Sequence, residues 1–163
     1  MIILGIDPGL NTSGYGLITV DHSKIRFLAA GEISTAKAGD FSEKLEILYR
    51  SCCDIIDDHH PDVFAIEETF SNINPRTSLK LGHARGVLML GGQIKGLPVY
   101  EYPATIVKKA LTGVGSASKE QVKYMVIKML KLPSLQGKMD VSDALAVAIT
   151  HYNQIKYGLL RQK

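Results

Sequence analysis

Short apolar runs, separated by glycine, proline and charged residues, predict five β-strands along this chain. The first run is continuously apolar apart from one glycine, which is typical of a strand buried on both faces. The next two are joined by a short polar turn and predict an antiparallel hairpin, so that strands one to three form a meander. The predicted strands cover residues 2–6, 15–20, 25–33, 63–66 and 99–102.

Two helices are predicted in the first half of the chain. The acid-x-x-Glu sequence from Asp40 to Glu43 is a capping box, and apolar residues then recur at helical spacing up to Pro61. A second, long helical pattern covers residues 77–95 and contains four glycines, which weaken a helix. Small residues allow close approach of another element, which the sequence leaves open as the sheet or a second subunit. The glycines are Gly82, Gly86, Gly91 and Gly92.

Three further helices are predicted in the second half. Pro103 is expected in the first turn of a short helix that reaches Leu111. A Ser-x-x-Gln capping box at residues 118–121 starts the next helix, and the last helix opens with Asp140 and Asp143. Periodicity is lost from residue 154 onward, so residues 1–153 are expected to form one domain and residues 154–163 a loose basic tail.

Length and composition narrow the class of protein. A chain of 163 residues has room for one domain with a sheet covered by helices on both sides, but not for a second domain of ordinary size. No apolar run approaches the roughly 20 residues of a membrane helix, and the N-terminus lacks the features of a signal peptide, so a cytoplasmic location without membrane contact is expected. Cys52 and Cys53 are adjacent, which fits neither a disulfide framework nor a zinc site.

The charge is unevenly distributed along the chain. A net charge of +3 is weak evidence for a nucleic-acid partner. Acids dominate residues 40–68, however, whereas lysines and arginines are concentrated in residues 76–131. A basic face beside an acidic pocket fits a phosphodiester polymer cut with metal ions, and an ordinary solvated surface is the alternative. The basic residues are Arg76, Lys80, Arg85, Lys95, Lys108, Lys109, Lys119, Lys123, Lys128 and Lys131.

Four acidic positions are candidates for chemistry. Asp7 follows the first strand and Glu67 the fourth, where a carboxylate at the end of a buried strand is costly unless a cation meets it. Asp140 and Asp143 are three residues apart and so share one face of a helix. The structural alternatives are that Asp7 caps the Pro-Gly turn, and that Asp140 is an N-cap with Asp143 a first-turn acid.

These oxygen ligands suit magnesium or manganese and do not suit zinc. Two such ions held about 3.5 to 4 Å apart can activate a water and stabilise the leaving oxygen of a phosphodiester. Without cations the carboxylates would repel one another strongly. The glycine-rich residues 113–118 lack the spacing of a P-loop, although their amides and Lys119 could hold one backbone phosphate.

Together these motifs resemble the RuvC family of bacterial Holliday junction resolvases. The resemblance covers residues 2 to about 152, and the joint pattern is specific although each part is weak. It is carried by GIDPG at residues 5–9, GYG at 14–16, AIE at 65–67 followed by Phe70, LGHARG at 81–86, GVGSA at 113–117 and DVSDALA at 140–146.

The resemblance implies an α/β protein with the RNase H-like fold, a mixed five-stranded sheet with helices on both faces. It also implies a homodimer that uses Mg²⁺, with two ions per subunit that Mn²⁺ can replace, and that nicks two symmetrically placed strands of a four-way DNA junction delivered by the RuvA and RuvB branch-migration proteins. Asp7, Glu67, Asp140 and Asp143 would be the catalytic metal ligands. The implied DNA contacts are Phe70, Arg76, Lys108 and Lys119.

Some alternatives remain open at the level of sequence. Glu68 adds an acid beside Glu67, and adjacent strand residues face opposite ways, so spacing does not decide which of the two points into the site. The Gly-x-Asp-x-Gly opening also resembles the phosphate-binding turn of actin-like ATPases and sugar kinases, but those proteins need two such domains. A junction-binding module without catalysis is disfavoured because all four acids are present.

Overall fold

The computed structural model describes residues 1–68, 74–134 and 139–158. Its centre is one five-stranded sheet with the strand order β3-β2-β1-β4-β5. β1, β2 and β3 form the expected antiparallel meander, whereas β4 and β5 run parallel to β1. The predicted mixed sheet is therefore confirmed. The strands are β1 (Ile2–Asp7), β2 (Thr12–Asp21), β3 (Lys24–Ser34), β4 (Val63–Glu68) and β5 (Val99–Pro103).

Helices cover both faces of this sheet, as predicted. One core lies between the sheet and α3, α4 and α5, and a second lies between the sheet and α1 and α2. Two cores of this kind require strands that are apolar on both faces, which explains the continuous apolar runs in β1 and β4. The helices are α1 (Phe41–His59), α2 (Pro75–Ile94), α3 (Ala104–Thr112), α4 (Lys119–Leu130) and α5 (Met139–Lys156).

The predicted N-caps Asp40 and Ser118 are confirmed, but only α4 has the complete capping box, because the Glu43 carboxylate accepts instead from the amide of Gly39 at 2.5 Å. The Asp40 carboxylate accepts a hydrogen bond from the backbone amide of Glu43 at 2.8 Å, and α1 begins at the next residue after Asp40. In α4, the Ser118 hydroxyl accepts from the amide of Gln121 at 3.2 Å, while the Gln121 side chain accepts from the amide of Ser118 at 2.8 Å. This reciprocal pair fixes the backbone at the start of α4.

Several predicted boundaries are wrong by a few residues. α2 begins at Pro75 instead of residue 77, because the Asn74 side chain accepts from the amide of Arg76 at 2.9 Å and caps the helix. Pro103 ends β5 instead of lying inside α3. Asp140 is not an N-cap, since α5 already begins at Met139.

The predicted tail begins too early. α5 continues to Lys156, where the Lys156 ammonium lies 5.7 Å from the centre of the Tyr152 ring one turn earlier. The backbone leaves the helix only near Gly158, which has a φ of +64°. Residues 154–156 are therefore helical, and residues 159–163 lie outside the described part of the chain.

Glycines in β1 and β2 allow α5 to lie directly on the sheet. Gly14 lies inside β2, where an added Cβ would overlap the carbonyl oxygen of Asp140. A Cβ on Gly5 would likewise overlap the carbonyl oxygen of Ala144. These glycines are needed because the backbone of α5 approaches too closely for any side chain.

The two cysteines are not paired in a disulfide. Cys52 is buried in the core beside α2 and Cys53 is half-buried, and both are free thiols. None of the helices in the described ranges is long and apolar enough to cross a membrane.

Candidate active site

The C-terminal ends of β1 and β4 bring two acids together. Ile6 pairs with Ile66 across these parallel strands, so Asp7 and Glu67 are next to each other at the same edge. Ile3 and Ala65 belong to the core beneath α5, and side chains alternate along a strand, so Asp7 and Glu67 share that face. Glu68 points to the opposite face. The structure thus places Glu67, and not Glu68, in the site.

The first two turns of α5 supply the other two acids. Gly14, which pairs with Asp7, lies against the backbone of Asp140, so the helix begins directly above the end of β1. Asp143 is one turn further along and is 8% exposed, whereas Asp140 is half-buried. The close approach at Gly14 therefore positions the helical acids over the strand acids.

A small pocket of about 60 Å³ forms where these elements meet. Asp7, Glu67 and Asp143 line it together with Lys108 of α3 and Lys119 of α4. Its apolar wall consists of Ala104, Val107 and Val122, which sequence reasoning did not assign to the site. The signal for Val107 and Val122 was the apolar stripe of each helix, which indicates burial but does not show what the stripe borders.

Burial and mutual repulsion raise the pKa of two of the acids. The pKa of Asp7 rises to about 8, first because the carboxyl is removed from water and then because Glu67, Asp143 and Asp140 are negatively charged neighbours. Burial, followed by the charge of Asp143, raises the pKa of Glu67 to about 7. These acids are therefore short of positive charge, as expected for groups that bind cations.

Lys119 provides the nearest positive charge. Its ammonium donates a hydrogen bond to Oδ2 of Asp143 at 2.6 Å, and its charge lowers the pKa of both Asp7 and Glu67. The charge of Lys108 also lowers the pKa of Glu67. The pocket thus has two lysines, of which Lys119 makes the direct ion pair with an acid.

The donor chemistry fits a hard divalent cation. All four acids offer carboxylate oxygens, and burial together with mutual repulsion raises the pKa of Asp7 and Glu67, an effect that a bound cation would oppose. Among the described residues, however, no three His, Cys, Asp or Glu side chains are already arranged to hold one metal ion. Coordination by three of these side chains would require some of them to rotate.

Comparison with known proteins assigns the chain to a family. The family described as crossover junction endodeoxyribonuclease RuvC matches residues 3–151. The chain is 44% identical over 162 residues to the crossover junction endodeoxyribonuclease RuvC of Geotalea uraniireducens, covering 99% of this chain and 94% of that protein. It is 45% identical over 158 residues to the protein of the same name from Actinobacillus succinogenes, covering 97% and 82%. The chain belongs to the RuvC family.

Solved structures agree with this assignment to the RuvC family. The structure of Thermus thermophilus RuvC matches with a TM-score of 0.88 at 31% identity, covering 97% of each chain. A structure of T. thermophilus RuvC in complex with a Holliday junction substrate matches with a TM-score of 0.87 at 29% identity, again covering 97% of each chain. The RNase H-like fold expected from the sequence is confirmed.

The DNA contacts implied by the resemblance to RuvC lie at different places. Lys108 and Lys119 line the acidic pocket. Arg76 is exposed in the first turn of α2. Phe70 lies outside the described residues, so its predicted position near the crossover stays a prediction.

Proposed function

We propose that this chain is a structure-selective endonuclease that resolves four-way DNA junctions by paired symmetric nicks in homologous recombination and DNA repair. The supporting observation is that Asp7, Glu67 and Asp143, from separate parts of a RuvC-family chain, line one pocket beside two lysines. Asp140 does not line the pocket, but it lies one turn before Asp143 and its charge acts on Asp7. The T. thermophilus relative was solved with a junction substrate, which supports the same substrate class for this chain.

In this proposal the four acids hold two Mg²⁺ ions per subunit, which Mn²⁺ can replace. When bound, the ions supply an activated water and stabilise charge on the phosphate in an in-line displacement. Asp7 and Glu67 would contribute carboxylate oxygens from the rigid strand ends. Asp140 and Asp143 would contribute theirs from α5. Lys108, Lys119 and Arg76 bind backbone phosphates, and Phe70 stacks near the crossover.

The proposed assembly is a homodimer that receives its junction from the RuvA and RuvB branch-migration proteins in the bacterial cytoplasm. Two nicks related by symmetry require two acidic sites, and the described part of one chain forms one such site. α2 presents an exposed stripe with the apolar residues Leu79, Leu90 and Ile94, which suits such an interface.

Metal removal should abolish cleavage without abolishing binding. We expect a synthetic mobile four-way junction to be nicked in Mg²⁺ or Mn²⁺, and to stay intact in EDTA, because the oxygen ligands have no other means to activate water. Denaturing gels measure nicking, and gel shifts in EDTA measure binding, which depends on the separate basic residues. Cleavage in EDTA at the rate seen in Mg²⁺ would contradict the proposed mechanism.

The raised pKa values predict an unusual pH dependence of stability. Between the unfolded pKa near 4 and the folded values of about 8 for Asp7 and 7 for Glu67, the folded state binds more protons than the unfolded state. The free energy of unfolding of the metal-free protein should therefore fall as pH rises from about 5 to 8. Added Mg²⁺ should reverse this trend, because metal binds the deprotonated acids.

Urea unfolding in EDTA at several pH values, with Asp7→Asn as the control, measures this effect. The variant lacks the titrating group with the largest shift and should show a flatter profile than the wild-type protein. Equal slopes in the two proteins would show that Asp7 does not have its raised pKa in solution.

A further inference from the structure

The ion pair between Lys119 and Asp143 has a feature that phosphate binding alone does not require. The Lys119 side chain is 57% exposed, yet its ammonium reaches inward to an Asp143 carboxylate that is only 11% exposed. A lysine whose only task was to bind DNA would be expected to extend into solvent, where its charge is best hydrated. Here the charge is instead directed among the acids.

The same ammonium acts on three of the four acids. It donates directly to Asp143, and its charge favours the ionised forms of Asp7 and Glu67. A lysine ammonium is a cation at neutral pH, and its hydrogen bond to the Asp143 carboxylate at 2.6 Å favours that form further. Lys119 is therefore a cation throughout the physiological range.

Resting on the function proposed above, we infer that Lys119 is an exchangeable stand-in cation: it neutralises the acidic site before metal binds, and metal binding displaces it from Asp143. Oδ2 of Asp143 already accepts the short hydrogen bond from the ammonium, so a metal ion that binds this oxygen must share or take over an occupied acceptor position. A divalent ion in the pocket would also repel an adjacent ammonium. Metal entry thus competes with Lys119 directly.

The local structure permits this exchange. The capping box at Ser118 and Gln121 fixes the backbone at the start of α4, so only the flexible side chain of Lys119 needs to move. Once displaced, the ammonium lies at the mouth of the site, where a DNA phosphate is the complementary charge. Metal binding and phosphate binding by Lys119 would then favour each other, as linkage requires.

Lys108 provides a matched comparison. It lines the same pocket and its charge acts on Glu67, but it has no ion pair with an acid among the described contacts. Removing Lys108 reduces only the general positive charge near the metal, whereas removing Lys119 also removes the competitor for Asp143. Lys119→Arg keeps both the charge and the ability to pair with a carboxylate.

Calorimetric titration of the DNA-free protein with Mn²⁺ tests the inference without measuring cleavage. We expect Lys119→Met to bind Mn²⁺ about three- to tenfold more tightly than the wild-type protein, since a partly exposed ion pair is lost from the metal-free state. Lys108→Met should tighten binding by less than about twofold, and Lys119→Arg should stay within about twofold of the wild-type protein. The thermal shift caused by Mn²⁺ should be largest for Lys119→Met.

Nitrogen-15 NMR of lysine ammonium groups provides a test on the wild-type protein itself. The Lys119 signal, assigned by its loss in Lys119→Met, should move or broaden when Mg²⁺ is added. Equal tightening in Lys119→Met and Lys108→Met, or an unchanged Lys119 signal at saturating Mg²⁺, would overturn the inference while leaving the proposed function intact. Absence of any Mn²⁺ binding by the wild-type protein would overturn the metal-dependent function and the inference together.

Discussion

Asp7→Asn should reduce junction nicking by at least about 100-fold while leaving junction binding intact or tighter. The amide keeps the shape of the side chain but removes the charge that would bind metal, at the position where two strand ends and α5 meet. Removal of a negative charge near DNA phosphate cannot weaken the electrostatic attraction. Glu67→Gln, Asp140→Asn and Asp143→Asn should behave in the same way.

Glu68→Gln is the matched control for this set. It makes the same chemical change one residue away from Glu67, but on the opposite face of β4. We expect its nicking rate to stay within about threefold of the wild-type rate, because a charge change outside the pocket acts only at long range. A substituted pocket acid that cut at nearly the wild-type rate would not be a metal ligand.

Most of the fold could be predicted because local and global signals agree. Several elements follow directly from local chemistry: buried strands from the apolar runs in β1 and β4, a hairpin from the polar turn between β2 and β3, and helix starts from Asp40 and Ser118. The start of α2 differs from the prediction because the helix is set by the Asn74 cap and by Pro75 in its first turn, whereas the helical periodicity begins only at residue 77. The first and last residues of a helix depend on single hydrogen bonds, which the spacing of apolar residues does not reveal.

The site could be predicted only in part. Strand ends indicated Asp7 and Glu67 as candidates, but the choice between Glu67 and Glu68 required knowledge of which face α5 covers. The role of Gly14 depends on the approach of a helix more than a hundred residues later in the chain, and the pairing of Lys119 with Asp143 depends on the packing of α4 beside α5. No local pattern contains such long-range contacts.

The glycines of α2 divide into two groups, which answers the question that the sequence left open. Gly91 faces Cys52 of α1 and Gly92 faces Phe64 of β4, so both serve packing within the subunit. Gly82 and Gly86 face open space, since an added Cβ would have no atom within 4 Å apart from the adjoining backbone of α2 in the described part of the chain. Val87 packs in the subunit's own core.

The open glycines belong to an exposed stripe along α2. Leu79, Leu90 and Ile94 are 65%, 51% and 59% exposed, and together with Gly82 and Gly86 they recur at helical spacing along α2. Large apolar side chains flanking small ones on an open helix face favour close contact with another helix. A second copy of the chain, related by a two-fold axis, would place the same stripe against itself and provide two acidic sites for two nicks.

Gly86→Glu should therefore convert the protein to monomers and replace paired nicks by single, uncoupled nicks or by no activity. Two buried glutamates facing each other across a two-fold interface should weaken association by at least about 100-fold. The subunit itself should stay folded, because the introduced side chain would point into open space and glutamate favours a helix more than glycine does.

Light scattering measures the oligomeric state, thermal unfolding measures whether the subunit stays folded, and nick mapping on a labelled junction shows whether the nicks are paired. Ala36→Glu adds the same charge at an exposed loop position outside α2 and should remain dimeric with paired nicks. A wild-type chain that stayed monomeric on DNA and still made paired nicks would contradict the proposed dimer. A dimeric Gly86→Glu protein with paired nicks would instead place the interface on another surface, because a buried charge at the centre of this stripe could not be accommodated without cost.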